Sequence, residues 1–162
     1  MDGQLRNMTS IYIMRDDRML LLYRIGSRVV APSWCGIGGH FEPAELNMAQ
    51  AAALRELREE TGLTGDDLEN LKLRYVTLRL KNGEIRQNYY FFAYLKPKVQ
   101  VNMNCPEGIL EWVPCRAVPD REMPYTARFV VQHYLKHARY DERLYSGIAG
   151  PDGVEFLPLV EF

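Results

Sequence analysis

One short stretch, Leu54-Arg-Glu-Leu-Arg-Glu-Glu-Thr-Gly-Leu63, restricts the fold and the chemistry of this chain more than any other. It closes a run from Glu45 to Thr61 that holds neither glycine nor proline, and Gly62 follows where a helix would stop. The spacing therefore predicts one long helix from about Glu45 to Thr61. On a helix each residue turns about 100° further round the axis. With Leu57 at zero, Glu60, Glu56 and Glu59 lie at roughly −60°, −100° and −160°. Leu54 and Thr61 fall within about 60° of Leu57, as a core-facing stripe. Three carboxylates thus share one arc, with the small Ala49 and Ala52 leaving room above them. As like charges they repel by roughly 0.2–0.5 kcal/mol per helical pair. A hard divalent cation reverses that sign, because Mg²⁺ or Mn²⁺ takes oxygen ligands and shares its shell between carboxylates, water and phosphate. The plainer reading is a solvated face with Arg55–Glu59 as an ordinary i,i+4 ion pair.

The rest of the chain reads as strands around two helices. Ile11–Met14 and Met19–Tyr23 flank Arg15-Asp-Asp-Arg18 as a hairpin. Gly26–His40 reads as a glycine-, serine- and proline-rich loop entering a short strand. Leu71–Leu80 and Ile85–Leu95 flank Lys81-Asn-Gly-Glu84, and Asn-Gly between β-rich runs marks a hairpin. Leu110–Val113 is a further strand. Thr126–His137 has helical spacing, with Phe129, Val130, His133 and Tyr134 on one side. In the tail, Leu144–Phe162, Gly150-Pro-Asp-Gly153 between apolar flanks predicts a final hairpin. That order, with no repeat or linker, implies a single α+β domain over residues 1–162, a mixed-sheet sandwich rather than a regular βαβ array.

Composition narrows the function classes. With 162 residues, 47% of them hydrophobic and 25% charged, the chain can bury a core without disulfides or structural metal. A net charge of −1 and a pI near 6.3 exclude a general nucleic-acid binder but not the binding of a small anion. The longest apolar stretch, Tyr89–Leu95, is far too short to cross a bilayer, and Met1–Ser10 has no apolar core of a signal peptide. Cys35, Cys105 and Cys115 are odd in number and lack metal-ligand spacing, so free thiols in a reducing cytoplasm are the simplest expectation. Five acids (Glu42, Glu45, Glu56, Glu59, Glu60) face two bases (Arg55, Arg58) between Gly39 and Gly62, so an acidic site sits in a slightly basic body.

Together, Gly38-Gly-His-Phe-Glu-Pro-Ala-Glu45 and Leu54–Leu63 resemble the Nudix box, which runs Gly, five residues, Glu, seven residues, Arg-Glu-aliphatic-any-Glu-Glu-any-Gly-aliphatic. Gly39, Glu45, Arg55, Glu56, Leu57, Glu59, Glu60, Gly62 and Leu63 match it. Arg55, Glu56, Glu59, Glu60 and Gly62 would coincide by chance about once in 10⁶ placements. One departure stands out: two extra residues separate Glu45 from Arg55, read as an extended loop before the helix. The resemblance implies a Nudix-type α/β/α sandwich with a mixed sheet and a C-terminal β-hairpin. It further implies metal-dependent hydrolysis of a nucleoside diphosphate linked to another group, by water attack on phosphorus.

In a protein similar to these hydrolases, Glu56, Glu59 and Glu60 hold Mg²⁺ or Mn²⁺, with the Gly39 carbonyl as a further ligand. One of the carboxylates, or Glu107 before Trp112, takes the proton of the attacking water; the alternative for Glu107 is a solvated loop acid. Arg55 is a supporting residue that fixes neighbouring carboxylates with its fork. Arg24 stands where MutT-like enzymes carry a phosphate-binding cation, or is a surface arginine. Ser33-Trp-Cys-Gly-Ile-Gly-Gly39 resembles the Trp-Asn-Gly-aromatic-Gly-Gly stretch of MutT-like enzymes that hydrolyse oxidised purine triphosphates such as 8-oxo-dGTP. Cys35 replaces the base-contacting Asn, and a thiol is a weak substitute for its donor and acceptor. Thr9, Met123 and Tyr125 match base-pocket positions of those enzymes, and Trp34 either stacks on a base or shields the core. Met123 and Tyr125 also suit a core position and a helix entrance.

Other constellations are weaker. Gly36-Ile-Gly-Gly39 does not complete a dinucleotide fingerprint, and there is no P-loop. His133 and His137 are spaced i,i+4 without the glutamate of a zinc-protease helix, and Cys35 lacks a base partner for nucleophilic work. Three functions follow: a nucleoside triphosphate pyrophosphatase, a hydrolase of ADP-ribose, a dinucleotide or another diphosphate conjugate, and an idle nucleotide-sensing domain. The intact acidic set speaks for the enzymes. The expected partner is a small nucleotide rather than nucleic acid or membrane. Many Nudix proteins are dimers, so a homodimer is one expected assembly.

Overall fold

The computed structural model describes residues 3–26 and 31–162; positions 27–30 of the Gly26–His40 loop lie outside the described residues. Among the described residues, nine strands join in one mixed sheet. They are β1 (Leu5–Arg15), β2 (Arg18–Arg24), β3 (Ser33–Cys35), β4 (Leu68–Lys81), β5 (Glu84–Leu95), β6 (Asn104–Cys105), β7 (Gly108–Pro114), β8 (Tyr145–Gly150) and β9 (Gly153–Pro158). The sheet runs β6-β7-β2-β1-β5-β4-β8-β9, with β3 also paired to β2. Two pairings are parallel, β1 with β5 and β4 with β8. The helices are α1 (Ala49–Thr61) and α2 (Tyr125–Lys136).

Period-2 alternation in the central strands divides the core into two layers. Ile11, Ile13, Leu20, Leu22, Phe91 and Ala93 face α1, where Ala53 and Leu57 meet them. Tyr12, Met14, Met19, Leu21, Tyr90 and Phe92 face the other way and pack against Ala127, Val130, Val131 and Tyr134 of α2. Ile11 to Met14 are fully buried because both faces are covered, which is why they form an unbroken apolar run. The chain is therefore the expected α/β/α sandwich, and β8 and β9 form the expected terminal hairpin.

Several elements differ from their sequence expectation. The helix expected from Glu45 begins at Ala49, and Glu45 lies instead in a 3₁₀ turn, Pro43–Glu45, closed by its carboxylate accepting from the Glu42 N–H. The extra residues of the motif fall here: Leu46, Asn47 and Met48 are exposed between turn and helix, the extended loop that was expected. At its other end α1 stops at Gly62, whose left-handed φ of 73° suits glycine and lets its N–H reach the Arg58 carbonyl. β1 extends back to Leu5 because β5 pairs with it from Leu5↔Ile85 to Met14↔Tyr94, a long-range pairing that no local apolar run announces. β4 is likewise longer than expected and carries two register shifts between Glu69 and Tyr75. In α2 the buried stripe centres on Ala127, Val130 and Tyr134. Phe129 and His133 lean toward the last hairpin, where the His133 ring lies 4.5 Å from that of Phe156.

Candidate functional site

The site grows from the loop Ile37–His40, which is laid as an extra strand along β1. Ile11 and Ile37 exchange backbone hydrogen bonds, and the Thr9 N–H donates to the Gly39 carbonyl at 2.9 Å. This approach requires glycine at Gly38, and at Gly39 the absent side chain leaves room for a carboxylate. A Cβ on Gly38 would lie 2.0 Å from the Thr9 carbonyl oxygen, and one on Gly39 would lie 2.6 Å from Glu56 Oε1. The missing side chain at Gly39 is thus what lets the Glu56 carboxylate rest against the loop.

Two arginines organise the acids. Arg55 grips Glu45 with a two-pronged contact, Nε to Oε1 at 2.7 Å and Nη2 to Oε2 at 3.0 Å. Its Nη1 donates to Glu56 at 2.9 Å and Glu59 at 3.2 Å, and Nη2 also reaches the His40 carbonyl at 3.0 Å. The two inserted residues have therefore not displaced Glu45 from the cluster. Hydrogen bonding from Arg55 holds the Glu45 carboxyl below its usual pKa, and Glu45 in turn raises that of Arg55. The second arginine, Arg24, donates to Glu60 Oε1 at 2.6 Å, to the Gly38 carbonyl at 2.9 Å and to Glu107 at 3.2 Å. Glu60 Oε2 accepts from the Gly38 N–H at 3.0 Å. Burial nevertheless pushes Glu60 up to about 7, against the pull of Arg24 and Gly38.

Arg24 is thus committed to carboxylates and a carbonyl rather than standing as a free surface cation, and Glu107 comes to the site from the turn between β6 and β7. Cys35 packs against the α1-side core with its Sγ 3.5 Å from the Leu22 carbonyl, and burial raises its pKa. Thr9 is buried and its register follows Ile11 and Ile13; its Oγ1 has no hydrogen-bond partner among the described residues.

The remaining expected substrate residues are not brought to this cluster. Trp34 packs against the α2-side core, 5.0 Å from the Tyr23 ring and 4.5 Å from the Arg121 guanidinium. Met123 is part of that core. Tyr125 donates to the Gly150 carbonyl at 2.6 Å and has Arg79 stacked 4.5 Å from its ring, tying α2 to the terminal hairpin. His133 Nδ1 is paired with the Tyr75 hydroxyl at 2.8 Å.

Among the described residues, no three histidine, cysteine or acidic side chains converge as a ready metal cage. The donor set still suits a hard cation. Glu56, Glu59 and Glu60 offer only oxygen, the Gly39 carbonyl keeps a lone pair beyond its bond from Thr9, and Gly39 cradles the Glu56 carboxylate. Beside Glu59 and Glu60 opens a cleft of ≈ 470 Å³, with Val99, Asn102 and Asn104 on its far wall. Sequence reasoning missed the Gly38 N–H and the His40 carbonyl, backbone groups with no side-chain signal. It also missed the Arg24–Glu60 contact, which joins positions far apart in the chain.

Comparison with known proteins gives two findings. A model of the NUDIX domain matches residues 5–134. Among solved structures, a mutator MutT protein from Bacillus halodurans superposes with a TM-score of 0.69 at 24% identity, covering 93% of this chain and 97% of that one. A MutT protein from Methanosarcina mazei Go1 gives 0.65 at 20% identity, over 87% and 99%. An Ap4A hydrolase from C. elegans gives 0.66 at 17% identity, over 85% and 99%. At these identities the structural likenesses carry the fold alone.

Proposed function

The chain belongs to the NUDIX family, whose hydrolases act on nucleoside diphosphate-linked substrates, and on that premise we propose a Mg²⁺- or Mn²⁺-dependent pyrophosphohydrolase centred on Glu56, Glu59 and Glu60. The observation that carries the reading is the Arg55 cluster, in which one guanidinium gathers Glu45, Glu56 and Glu59 beside the Gly39 carbonyl. Such a divalent ion, when bound by these oxygens, neutralises pyrophosphate charge and lowers the pKa of the attacking water. Arg55 fixes the carboxylates so that little reorganisation is needed. The Thr9 N–H holds the Gly39 carbonyl in place. Glu107, at the rim and paired with Arg24, is the proposed acceptor of the water proton, with Glu59 as the other carboxylate exposed enough to serve. The water oxygen forms a new bond to phosphorus and the bridging P–O bond breaks. Free thiols at Cys35, Cys105 and Cys115 support a cytoplasmic setting, and no helix among the described residues is long and apolar enough to cross a membrane.

Two substrate readings remain open to test. The resemblance of Ser33–Gly39 supports a nucleoside triphosphate, 8-oxo-dGTP included, cleaved to monophosphate and pyrophosphate. A diphosphate conjugate such as ADP-ribose or a dinucleotide is favoured by one observation: the expected purine pocket divides, with Thr9 and Cys35 on the α1 side and Trp34 and Met123 on the other. A product-resolved screen of nucleotides and diphosphate conjugates, with Mg²⁺ or Mn²⁺ and with EDTA, tests the proposal. It expects turnover that EDTA abolishes; no turnover of any substrate would favour a nucleotide sensor.

A further inference from the structure

The terminal hairpin widens the sheet beyond what the two helices cover. On one side α2 reaches it: the His133 ring lies 4.5 Å from that of Phe156, and Tyr145 and Phe156 pack with the α2-side core. On the other side the core under α1 takes in β1, β2, β5 and the start of β4, up to Leu73, but nothing of β8 or β9. The second half of β4 is left bare there, together with β8 and β9. A bare sheet face is ordinarily polar. Here Leu5, Leu78, Leu80, Ile148 and Leu157 stand on it with 39–61% of their surface in solvent. Register puts them on one face. Tyr75↔Tyr145 is an α2-side pair, so the Leu78↔Ile148 pair, three residues further on, points the other way. Leu157 lies beside Ser146, Leu80 beside Ile85, and Ile85 beside Leu5.

Charge is divided between the two faces of these strands. Over residues 5–9, 76–81, 84–89, 145–149 and 154–157, the α2 side carries Arg6, Arg79, Lys81, Glu84 and Arg86. The bare side carries one charged group, Glu155, beside Ile148. Depletion of charge marks the core of an interface rather than a solvated sheet. With no lysine or arginine on it, the face has nothing to hold an anionic lipid surface or an acidic partner. The residues after β9 do not cover it either. The Leu159 N–H donates to the Leu144 carbonyl at 2.8 Å, so the chain runs on in line with the strand. A second copy fits the face. β4 is the middle of the five strands β9-β8-β4-β5-β1, and a twofold axis along it lays Leu78 and Leu80 of the two copies against each other. Glu155, Ile148, Leu78, Gln87 and Asn7 form one row across those strands. The same axis therefore brings Glu155 of each copy to the Asn7 amide of the other, away from its own like charge.

We propose that the bare face of β4, β8 and β9 is the contact between two copies of this chain, packed sheet to sheet with Leu78, Leu80 and Ile148 at its centre. The contact is independent of the hydrolase reading. Sedimentation velocity over a dilution series reads it for the native protein, Leu80→Lys, Ile148→Lys and, on the opposite face, Arg86→Ser, with a thermal melt of each. Leu80 and Ile148 are exposed, so both lysine variants keep their fold. A particle of twice the chain's mass is expected at tens of micromolar, and Arg86→Ser is expected to leave it unchanged. Leu80→Lys sets like charges against each other across the axis, and Ile148→Lys buries one without a partner. Each is expected to weaken the dimer about 100-fold or more. A native monomer at every concentration, a native assembly of more than two copies, or a dimer that neither lysine weakens would overturn the contact. So would a native monomer that sediments with neutral phosphatidylcholine vesicles and is released by Leu80→Lys, which would give the face to lipid.

Discussion

Arg55 and Arg24 each gather carboxylates from the same face of α1, but at opposite ends of a burial gradient. Glu59, on Arg55, has 57% of its side chain exposed; Glu56, on the same guanidinium, 14%; Glu60, on Arg24, 3%. That order follows their angular distance from the buried Leu57, roughly −160°, −100° and −60° on an ideal helix. The same residue type is thus graded from a solvated carboxylate to a buried one, in the order that helix geometry sets. Arg55 works where water still screens charge, and holds the Glu45 carboxyl below its usual pKa. Arg24 works against the core, where burial outweighs its attraction and Glu60 rises to about 7.

The first way to break this contrast is catalytic. Glu56→Gln, within the Arg55 cluster, is expected to lower turnover by about 100-fold or more while leaving the melting temperature nearly unchanged, as steady-state kinetics and thermal melts will read. Next, Arg55→Ala strips the common cation from four acids, Glu42, Glu45, Glu56 and Glu59, and leaves Glu45, only 8% exposed, without its partner. Because the cluster is partly solvated, the expected cost is about 2 kcal/mol in urea unfolding, below that of a fully buried pair.

The two clusters should also respond oppositely to pH. A carboxyl whose folded pKa lies above its ordinary 4.5 contributes stability that is complete below pH 4.5 and lost as pH rises through about 7, which is the case of Glu60. Melting curves from pH 5 to 8 should therefore fall less steeply in Glu60→Gln than in the native protein; parallel curves would contradict the buried assignment. Glu45, held low by Arg55, has the reverse sign: its contribution is present above pH 4.5 and lost as pH falls through its depressed pKa. Glu45→Gln should accordingly blunt acid unfolding below pH 4.5, the smallest of these effects.

How much of this could be read beforehand depended on the range of the interaction. Glu56, Glu59, Glu60 and Arg55 were legible because helical spacing is local, and the core strand Ile11–Met14 because burial on both faces leaves a continuous apolar run. The terminal hairpin was legible from its turn residues. The split of the expected base pocket was not, although Trp34 and Cys35 are neighbours on a strand and so must face opposite sides of the sheet. The Arg24–Glu60 contact and the start of β1 at Leu5 depend on long-range pairing, which leaves no periodic trace. The start of α1 moved to Ala49 because Glu45, a good helix former, is engaged instead by Arg55 and the Glu42 N–H.

The most direct measurement is the Mn²⁺- or Mg²⁺-supported hydrolysis of the best substrate found in the screen, by the native protein and by Glu59→Gln, with Mn²⁺ affinity measured on both. A metal-bound pyrophosphate centre on α1 requires that Glu59→Gln, whose side chain is exposed and whose loss spares the core, weaken Mn²⁺ binding and reduce turnover by about 100-fold. Equal turnover and equal Mn²⁺ affinity in the two proteins would contradict it.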